Sequence, residues 1–324
     1  MEFYRGEGIR LDLEKAAESP GPYTMSYGFL LDGLRESIQK VGMVNPPLVA
    51  RNQEGSFDIV SGYRRILALK ALGERKAFCY DVTVVLPTPL ERFLAAFYEN
   101  LATRKFNDME KAIILNKLQG HVQTDEILAS FMPLLSLPSH EGTLKFYLEL
   151  LDLEPNVQKA IAREEVSIKV AKALVEMDKG SRKVMFNWME VFNYNINQQI
   201  KFIEYTQDII IRENKTISEV LYAGPLREVA ESAQLNMPQK AKVVLETMRV
   251  RRFPRLAQAQ HSVELAVSAI SMPPEASIHY DPSLEDPYYH LKIKFKHGKD
   301  LKKAINKLHV LGELEALPEL WTGQ

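Results

Sequence analysis

The chain has 324 residues, 46% hydrophobic and 26% charged, which is enough for two or three domains with real cores. Its formal charge of −1 gives no global attraction to nucleic acid, so any such binding has to come from local basic clusters. One cysteine, Cys79, excludes a disulfide framework within the chain, and the seven histidines show no metal-ligand spacing. No apolar run reaches the roughly 18 to 20 residues of a membrane span and no leader-like start is seen, so a cytoplasmic protein without membrane contact is expected.

Residues 1–29 mix glycine, proline and charge and read as an irregular arm. Leu30, Leu31, Leu34 and Ile38 then form a helical stripe ending at Gly42, and Asn45-Pro46-Pro47 forces extended backbone into a strand over Leu48 to Ala50. Phe57-Asp58-Ile59-Val60 runs into Ser61-Gly62, after which Ile66, Leu67, Leu69 and Leu72 recur with helical spacing before Gly73. That is a strand, a tight glycine turn and a helix. Such a turn aims unpaired N–H groups and the positive end of the helix dipole at whatever lies above it. Arg64 and Arg65 oppose that dipole in the first turn, which leaves two readings open: an anion site, or two solvated arginines.

Cys79 to Val85 reads as another strand, with Cys79 as a buried thiol in preference to a reactive one. Pro89 opens a helix with Leu90, Phe93, Leu94, Phe97 and Leu101 on its apolar face and Glu99 and Asn100 toward its end. Asn107 followed by Glu110 forms a capping-box start for the next helix, a role that would occupy both residues structurally. From there to about Lys179 the pattern is helical.

Three of these stretches, in this order, resemble the ParB N-terminal fold that is shared with sulfiredoxins. They are the opening helix, turn and strand over 34–49, the glycine-arginine box Ser61-Gly62-Tyr63-Arg64-Arg65, and the acidic-amide box Glu99-Asn100-Leu101-Ala102-Thr103-Arg104 with Asn107 and Glu110. The resemblance implies a nucleotide triphosphate, typically CTP, bound by Gly62, Tyr63, Arg64, Arg65, Glu99, Asn100 and Arg104, with Glu99 and Asn100 placing Mg2+. Two positions depart from the family pattern: Tyr63 stands where glutamate is usual, and Thr103 where arginine is usual, with Arg104 one residue on. One residue along a helix turns a side chain by about 100°, so Arg104 is not simply equivalent. Sulfiredoxin chemistry needs its cysteine where Tyr63 stands and is disfavoured.

The stretches 150–161 and 166–174 are similar to the helices that follow the helix-turn-helix of ParB proteins. The reading pair itself is expected near Asp125 to Met132 and Ser139 to Leu150, yet the second segment offers only Lys145 against Glu141 and Glu149. This makes it a degenerate helix-turn-helix, with a purely structural helical domain as the alternative. Met185, Trp188, Met189 and Phe192 in the following helical region read as core. Arg249, Arg251, Arg252 and Arg255 cluster around Phe253 and Pro254, either to clamp phosphates or to pair with acids of a neighbouring helix, with nucleic acid slightly preferred.

Near the end, Leu291, Ile293 and Phe295 alternate with Lys292, Lys294 and Lys296, and a helix follows with Lys302 and Lys303 off its apolar stripe. With a strand over Ala276 to Tyr280 this makes a small ββα module. It resembles the ParB C-terminal dimerisation module, and DNA-backbone contact by its lysines is the second role open to it.

The resulting expectation is an α+β protein. Its parts are an N-terminal arm (1–29), a ParB/sulfiredoxin-like nucleotide-binding domain (30–106), a helix-turn-helix-like helical domain (107–180), an additional helical region (181–270) and a C-terminal αβ dimerisation module (271–324). The function implied by the resemblance is DNA binding in partition, chromosome organisation or regulation, switched by CTP with Mg2+, as a nucleoid-associated homodimer and in some settings with a partition ATPase. Any hydrolysis would be a slow triphosphatase switch. The alternatives are a nuclease or nucleotide-dependent kinase on the same fold, for which Glu99 is the one compelling acid and Asp58 and Asp81 read as strand-end acids, or an interaction scaffold without nucleotide.

Overall fold

The computed structural model describes residues 6–16, 20–222 and 224–320; residues 1–5 and 17–19 of the expected arm and 321–324 of the C-terminal module lie outside them. The chain divides into two compact units, one reaching to Phe186 and including Asn195–Ile200, the other made of Asn187–Tyr194 and the chain from Lys201 onward.

The first unit starts with β1 (Glu7–Asp12), α1 (Asp32–Val41), β2 (Leu48–Arg51), β3 (Phe57–Ser61), α2 (Tyr63–Ala71) and β4 (Lys76–Asp81). The strands form one mixed sheet in the order β1-β4-β2-β3, with β1/β4 and β2/β3 antiparallel and β2/β4 parallel. The arm is therefore not wholly irregular. Glu7 to Asp12 pairs residue by residue with Asp81 to Lys76, and Leu11 enters the core. Its alternation is too short, and too close to Gly6 and Gly8, to stand out in sequence.

The strand expected over Cys79 to Val85 begins and ends earlier. Asp81 Oδ1 accepts the Thr83 N–H at 2.9 Å, a local Asx contact that turns the chain, and Val84 is left exposed. Within β4, Ala77 and Cys79 point inward while Phe78 points out, as a half-buried strand requires.

The α2 helix lays Ile66 and Leu69 over Val49, Ile59, Leu11 and Cys79 to close this core. Each fully buried aliphatic side chain there contributes about 1.5–3 kcal/mol, so the helix start is held in place from below. By contrast α1 has no fully buried residue; Leu34 is half-buried and Leu30, just before it, is exposed.

Next come α3 (Pro89–Thr103) and α4 (Asp108–Gln119). Thr88 and Glu91 form a capping box at the start of α3, and Phe93, Ala96 and Phe97 are buried along it. The Phe97 ring stacks on Phe106 at 6.0 Å and meets Phe131 edge-on at 5.9 Å, which fixes the angle of the 104–107 turn. Asn107 and Glu110 form the second capping box, as their spacing indicates.

A helical stretch over 124–134, containing a π turn at Ile127–Phe131, and the helix Glu141–Glu149 follow where the reading pair was expected. Ser136 takes a positive φ of 57° in the turn between them. Pro155–Ala162 and Ile168–Val175 complete the helices similar in sequence to those of ParB proteins.

In the second unit Trp188 stacks on Phe202 at 6.2 Å and packs against Phe192, the core role expected of that stripe. The helices Met237–Arg252 and Pro254–Ala269 lead to β5 (Ala276–His279) and β6 (His290–Ile293), an antiparallel pair, and then to the helix Gly298–His309. β6 is shorter than the alternating run, so Lys294 and Lys296 lie just past it. Ala304 and Leu308 are the buried positions of the last helix. The whole is an α+β fold: a mixed sheet with helices, a helical middle and a terminal ββα module.

Candidate functional site

Gly62 caps α2 in the left-handed region at φ 94°, ψ 19°. A Cβ built on it would lie 2.9 Å from Pro47 Cβ and 3.0 Å from Arg65 Nε, so both the conformation and the space favour glycine. Above this turn opens a cavity of about 370 Å3, within the usual range of roughly 300–1,000 Å3 for small-molecule sites. All seven residues assigned to nucleotide by resemblance, Gly62, Tyr63, Arg64, Arg65, Glu99, Asn100 and Arg104, line this one cavity, as does Thr103. Thr24, Ser26, Leu34 and Asn45 contribute the facing wall. The part of the arm that carries Thr24 and Ser26 had been given no functional role, since nothing in its composition marks it.

The lining carries three arginines and a single acid, Glu99. Arg65 Nη2 donates to Glu99 Oε1 at 3.0 Å and its Nη1 to the Asn45 carbonyl at 2.5 Å, while the Ser61 hydroxyl donates to Glu99 Oε2. Arg64 and Arg104 share one carboxylate, that of Glu110. Arg64 Nη2 reaches Oε1 at 2.6 Å and Arg104 Nη1 reaches Oε2 at 2.5 Å, with the Glu110 side chain only 1% exposed. Each guanidinium also lies over an aromatic ring at 4.8 Å, Arg64 over Phe29 and Arg104 over Phe106. Two cations on one acid leave an uncompensated positive charge. Burial, and then the adjoining Arg104 cation, push the Arg64 pKa down, with Glu110 opposing.

Arg104 reaches the site because α3 ends at Thr103. As the C-cap, Arg104 is extended at φ −157°, ψ 165°, and the 100° rule of a continuing helix does not govern its direction. Its Nε donates to Asn100 Oδ1 at 2.8 Å, and Thr103 Oγ1 turns back onto the Glu99 carbonyl at 2.9 Å. Glu110, which the sequence places in the acidic-amide box and at a helix cap, makes further contacts that its spacing does not indicate. Its capping role is real, since Asn107 N donates to Oε2 at 3.2 Å, but the same carboxylate gathers the arginines. The available signal was an acid at a helix start that the fold also buries.

The lining suits a polyanionic ligand, with three guanidinium groups around the glycine turn. The Thr24 hydroxyl is buried in the cavity wall without a hydrogen-bond partner among the described residues, an arrangement that ordinarily costs about 1–3 kcal/mol. Glu99 would be the carboxylate toward the metal, since Mg2+ is ordinarily bound by about one or two carboxylates with phosphate oxygens and water supplying the rest. The Asn100 amide is engaged on both sides, accepting from Arg104 and donating to the Ala96 carbonyl at 2.8 Å, so its visible work is to orient Arg104. Among the described residues no three His, Cys, Asp or Glu side chains form a metal cluster. Asp58 accepts from the Asn52 amide at 3.2 Å, and Asp81 holds the Thr83 turn. Cys79 is fully buried and burial pushes its thiol up to about 11, which makes it inert.

The residues named for DNA are spread over other surfaces. Lys145 is exposed and faces Glu149 at 3.8 Å. Of the arginine run, Arg249 pairs with Glu246 at 2.7 Å, Arg251 with Glu213 at 2.5 Å and Arg252 with Asp208 at 2.6 Å, whereas Arg255 is exposed. For three of the four, pairing with neighbouring acids is thus what the geometry gives, against the slight preference for nucleic acid. Lys292, Lys294, Lys296, Lys302 and Lys303 are all exposed.

Comparison with known proteins bears on the first unit most directly. The family model of the ParB N-terminal domain matches residues 26–101, the segment that holds the glycine turn, Arg64, Arg65, Glu99 and Asn100. A probable chromosome-partitioning protein ParB of Campylobacter jejuni is 27% identical over 63% of this chain and 71% of its own length. A nucleoid occlusion protein of Lysinibacillus sphaericus is 30% identical over 45% of this chain, a match that spans less than half of that protein, 46%. A C-terminally truncated chromosome-partitioning protein ParB of Caulobacter crescentus, solved in complex with CTP-γ-S, is 20% identical with a TM-score of 0.27, covering 55% of this chain and 98% of that one. Among the described residues no helix is long and apolar enough to cross a membrane. Residues 26–101 thus match the ParB N-terminal domain family, and the chain is similar to chromosome-partitioning ParB and nucleoid occlusion proteins.

Proposed function

We propose that the chain is a ParB-like DNA-binding protein acting in partition, chromosome organisation or regulation at the nucleoid, and that CTP or a related nucleotide switches it. The observation that carries this reading is the cavity over Gly62, with Arg64, Arg65 and Arg104 against the single acid Glu99. Phosphates held at a helix start need backbone approach and fixed cations, and both are present there. Glu99 would face the magnesium, and the bound state would reorient the helices after Arg104 within a dimer.

Dimer formation is supported by the terminal module. Leu291, Phe295, Ile305 and Val310 are large apolar side chains left exposed on a ββα unit too small to bury them alone. The exposed lysines of the same module supply the surface for DNA backbone. A partition ATPase as partner follows from the family likeness alone.

The test is calorimetric titration with CTP, ATP and GTP, with magnesium and with or without duplex DNA. Selective CTP binding is expected, weakened about 10- to 100-fold in Arg64→Ala and in Arg65→Ala, the usual cost of a charge-assisted phosphate contact. Affinities unchanged in both variants would sink the assignment.

A further inference from the structure

We infer that Glu110 is an internal counter-anion of the nucleotide site, holding Arg64 and Arg104 through the guanidinium edges they would otherwise offer to phosphate, so that occupation of the site loosens the start of α4. The inference rests on the proposal that the cavity takes a nucleotide.

The arginines form a partition. Arg64 and Arg104 line the cavity over Gly62 on one side, and on the other a second cavity of about 300 Å3 bounded by Phe29, Phe106 and Glu110. The aromatic faces fix the planes of the guanidinium groups and leave their edges for anions. On the Glu110 side the accounting is complete. Oε1 accepts from Arg64 Nη2 at 2.6 Å and from the Tyr27 N–H at 3.2 Å, and Oε2 accepts from Arg104 Nη1 at 2.5 Å and from the Asn107 N–H at 3.2 Å.

Each carboxylate oxygen thus has one backbone donor, fixed by the fold, and one arginine donor, which can be exchanged. When Arg64 and Arg104 turn their edges to phosphate oxygens, a carboxylate that is 1% exposed is left with two neutral donors in place of two cations. Glu110 stands in the first turn of α4, so the cost falls on the capping box where Glu110 N donates to Asn107 Oδ1 at 2.9 Å. That is the first turn of the helical part that follows the nucleotide site. Glu110 is in this sense a positioning residue: it acts on the ligand through the arginines.

The experiment compares the full chain with Glu110→Gln, which keeps the shape and the capping acceptor and removes the charge. The probes are inorganic tripolyphosphate and CTP, read by calorimetry. The Gln variant should bind both about tenfold more tightly, because the arginines no longer have a charged internal competitor. In the wild-type chain, tripolyphosphate should speed amide exchange at Glu110 and Lys111. A purely structural role for Glu110 moves neither readout in this direction. Unchanged or weaker binding by a cooperatively folded Gln variant overturns the inference. So does slowed or unchanged exchange at those amides in the wild type, which decides the matter if the variant does not fold. Loss of binding in Arg64→Ala without any gain in Glu110→Gln removes the counter-anion role alone, whereas absence of binding by the wild type removes the nucleotide reading with it.

Discussion

Gly62 carries two constraints that a single substitution separates from ordinary side-chain loss. Its φ of 94° is strained for any residue with a Cβ, and a Cβ there would press on Pro47, whose ring is held at the entry to β2. Gly62→Ala should therefore cost about 1–3 kcal/mol in urea unfolding, more than a surface alanine would, and should weaken nucleotide binding by moving the first turn of α2. A midpoint equal to wild type would mean that the turn relaxes freely and does not position Arg64 and Arg65. Tyr63 illustrates the opposite situation. It replaces a family glutamate, yet its ring meets Phe29 edge-on at 6.2 Å and packs against the sheet core, so the position has become part of the wall.

What could be read from sequence at the scale of elements was whatever short-range chemistry decides. The strand, glycine turn and helix over 57–73, the Pro89 start and the Asn107 and Glu110 capping box depend on residues within a few positions of each other, and each is found where the pattern puts it. β1 was missed because its partner, β4, lies far along the chain and its own alternation is brief. The direction of Arg104 depends on a helix ending one residue earlier than a continuing pattern implies, and the second role of Glu110 depends on tertiary burial. The arginine run shows the same limit, since its acids come partly from Ile196–Glu213, a separate helix. Arg251 donates to Glu213 from two nitrogens, at 2.5 and 2.8 Å, and Lys215 adds a contact at 3.1 Å. These bonds, those of Arg251 first, hold the Glu213 carboxyl down at about 2, below its ordinary 4.5. A carboxylate with a depressed folded pKa contributes stability above its unfolded pKa and loses it as pH falls toward the folded one. Stability of the second unit should thus decline between pH 4.5 and about 2, followed by the fluorescence of Trp188 in the same unit. Glu213→Gln should lower stability at pH 7 by about 1–2 kcal/mol and flatten that acid limb. An acid limb as steep as wild type would assign it to other carboxylates.

Over the whole molecule the charges nearly cancel, 41 lysines and arginines against 42 acids, so what matters is which cations are already neutralised. Arg249, Arg251 and Arg252 each have an acid within 2.7 Å, and the two arginines on Glu110 turn toward the cavity. The terminal module differs. Lys292, Lys294, Lys296, Lys302 and Lys303 are exposed, while Lys307 pairs with Glu275 at 2.7 Å and His290 faces Asp286 at 2.9 Å. Phosphate contacts made by free cations release counterions, and the slope of log K against log salt falls by about 0.9 for each contact to duplex DNA. If the module meets the DNA backbone, replacing both Lys302 and Lys303 by glutamine should reduce that slope by about 2 while leaving thermal stability near wild type. Arg251→Gln should do the reverse, lowering stability through the orphaned Glu213 and leaving the salt slope unchanged. Fluorescence anisotropy on a labelled duplex across a salt series separates the two. A slope that follows Arg251 and ignores the lysines would mean that the internal ion pairs open on DNA, and that the binding surface lies on the helices of the second unit and away from its terminal ββα module.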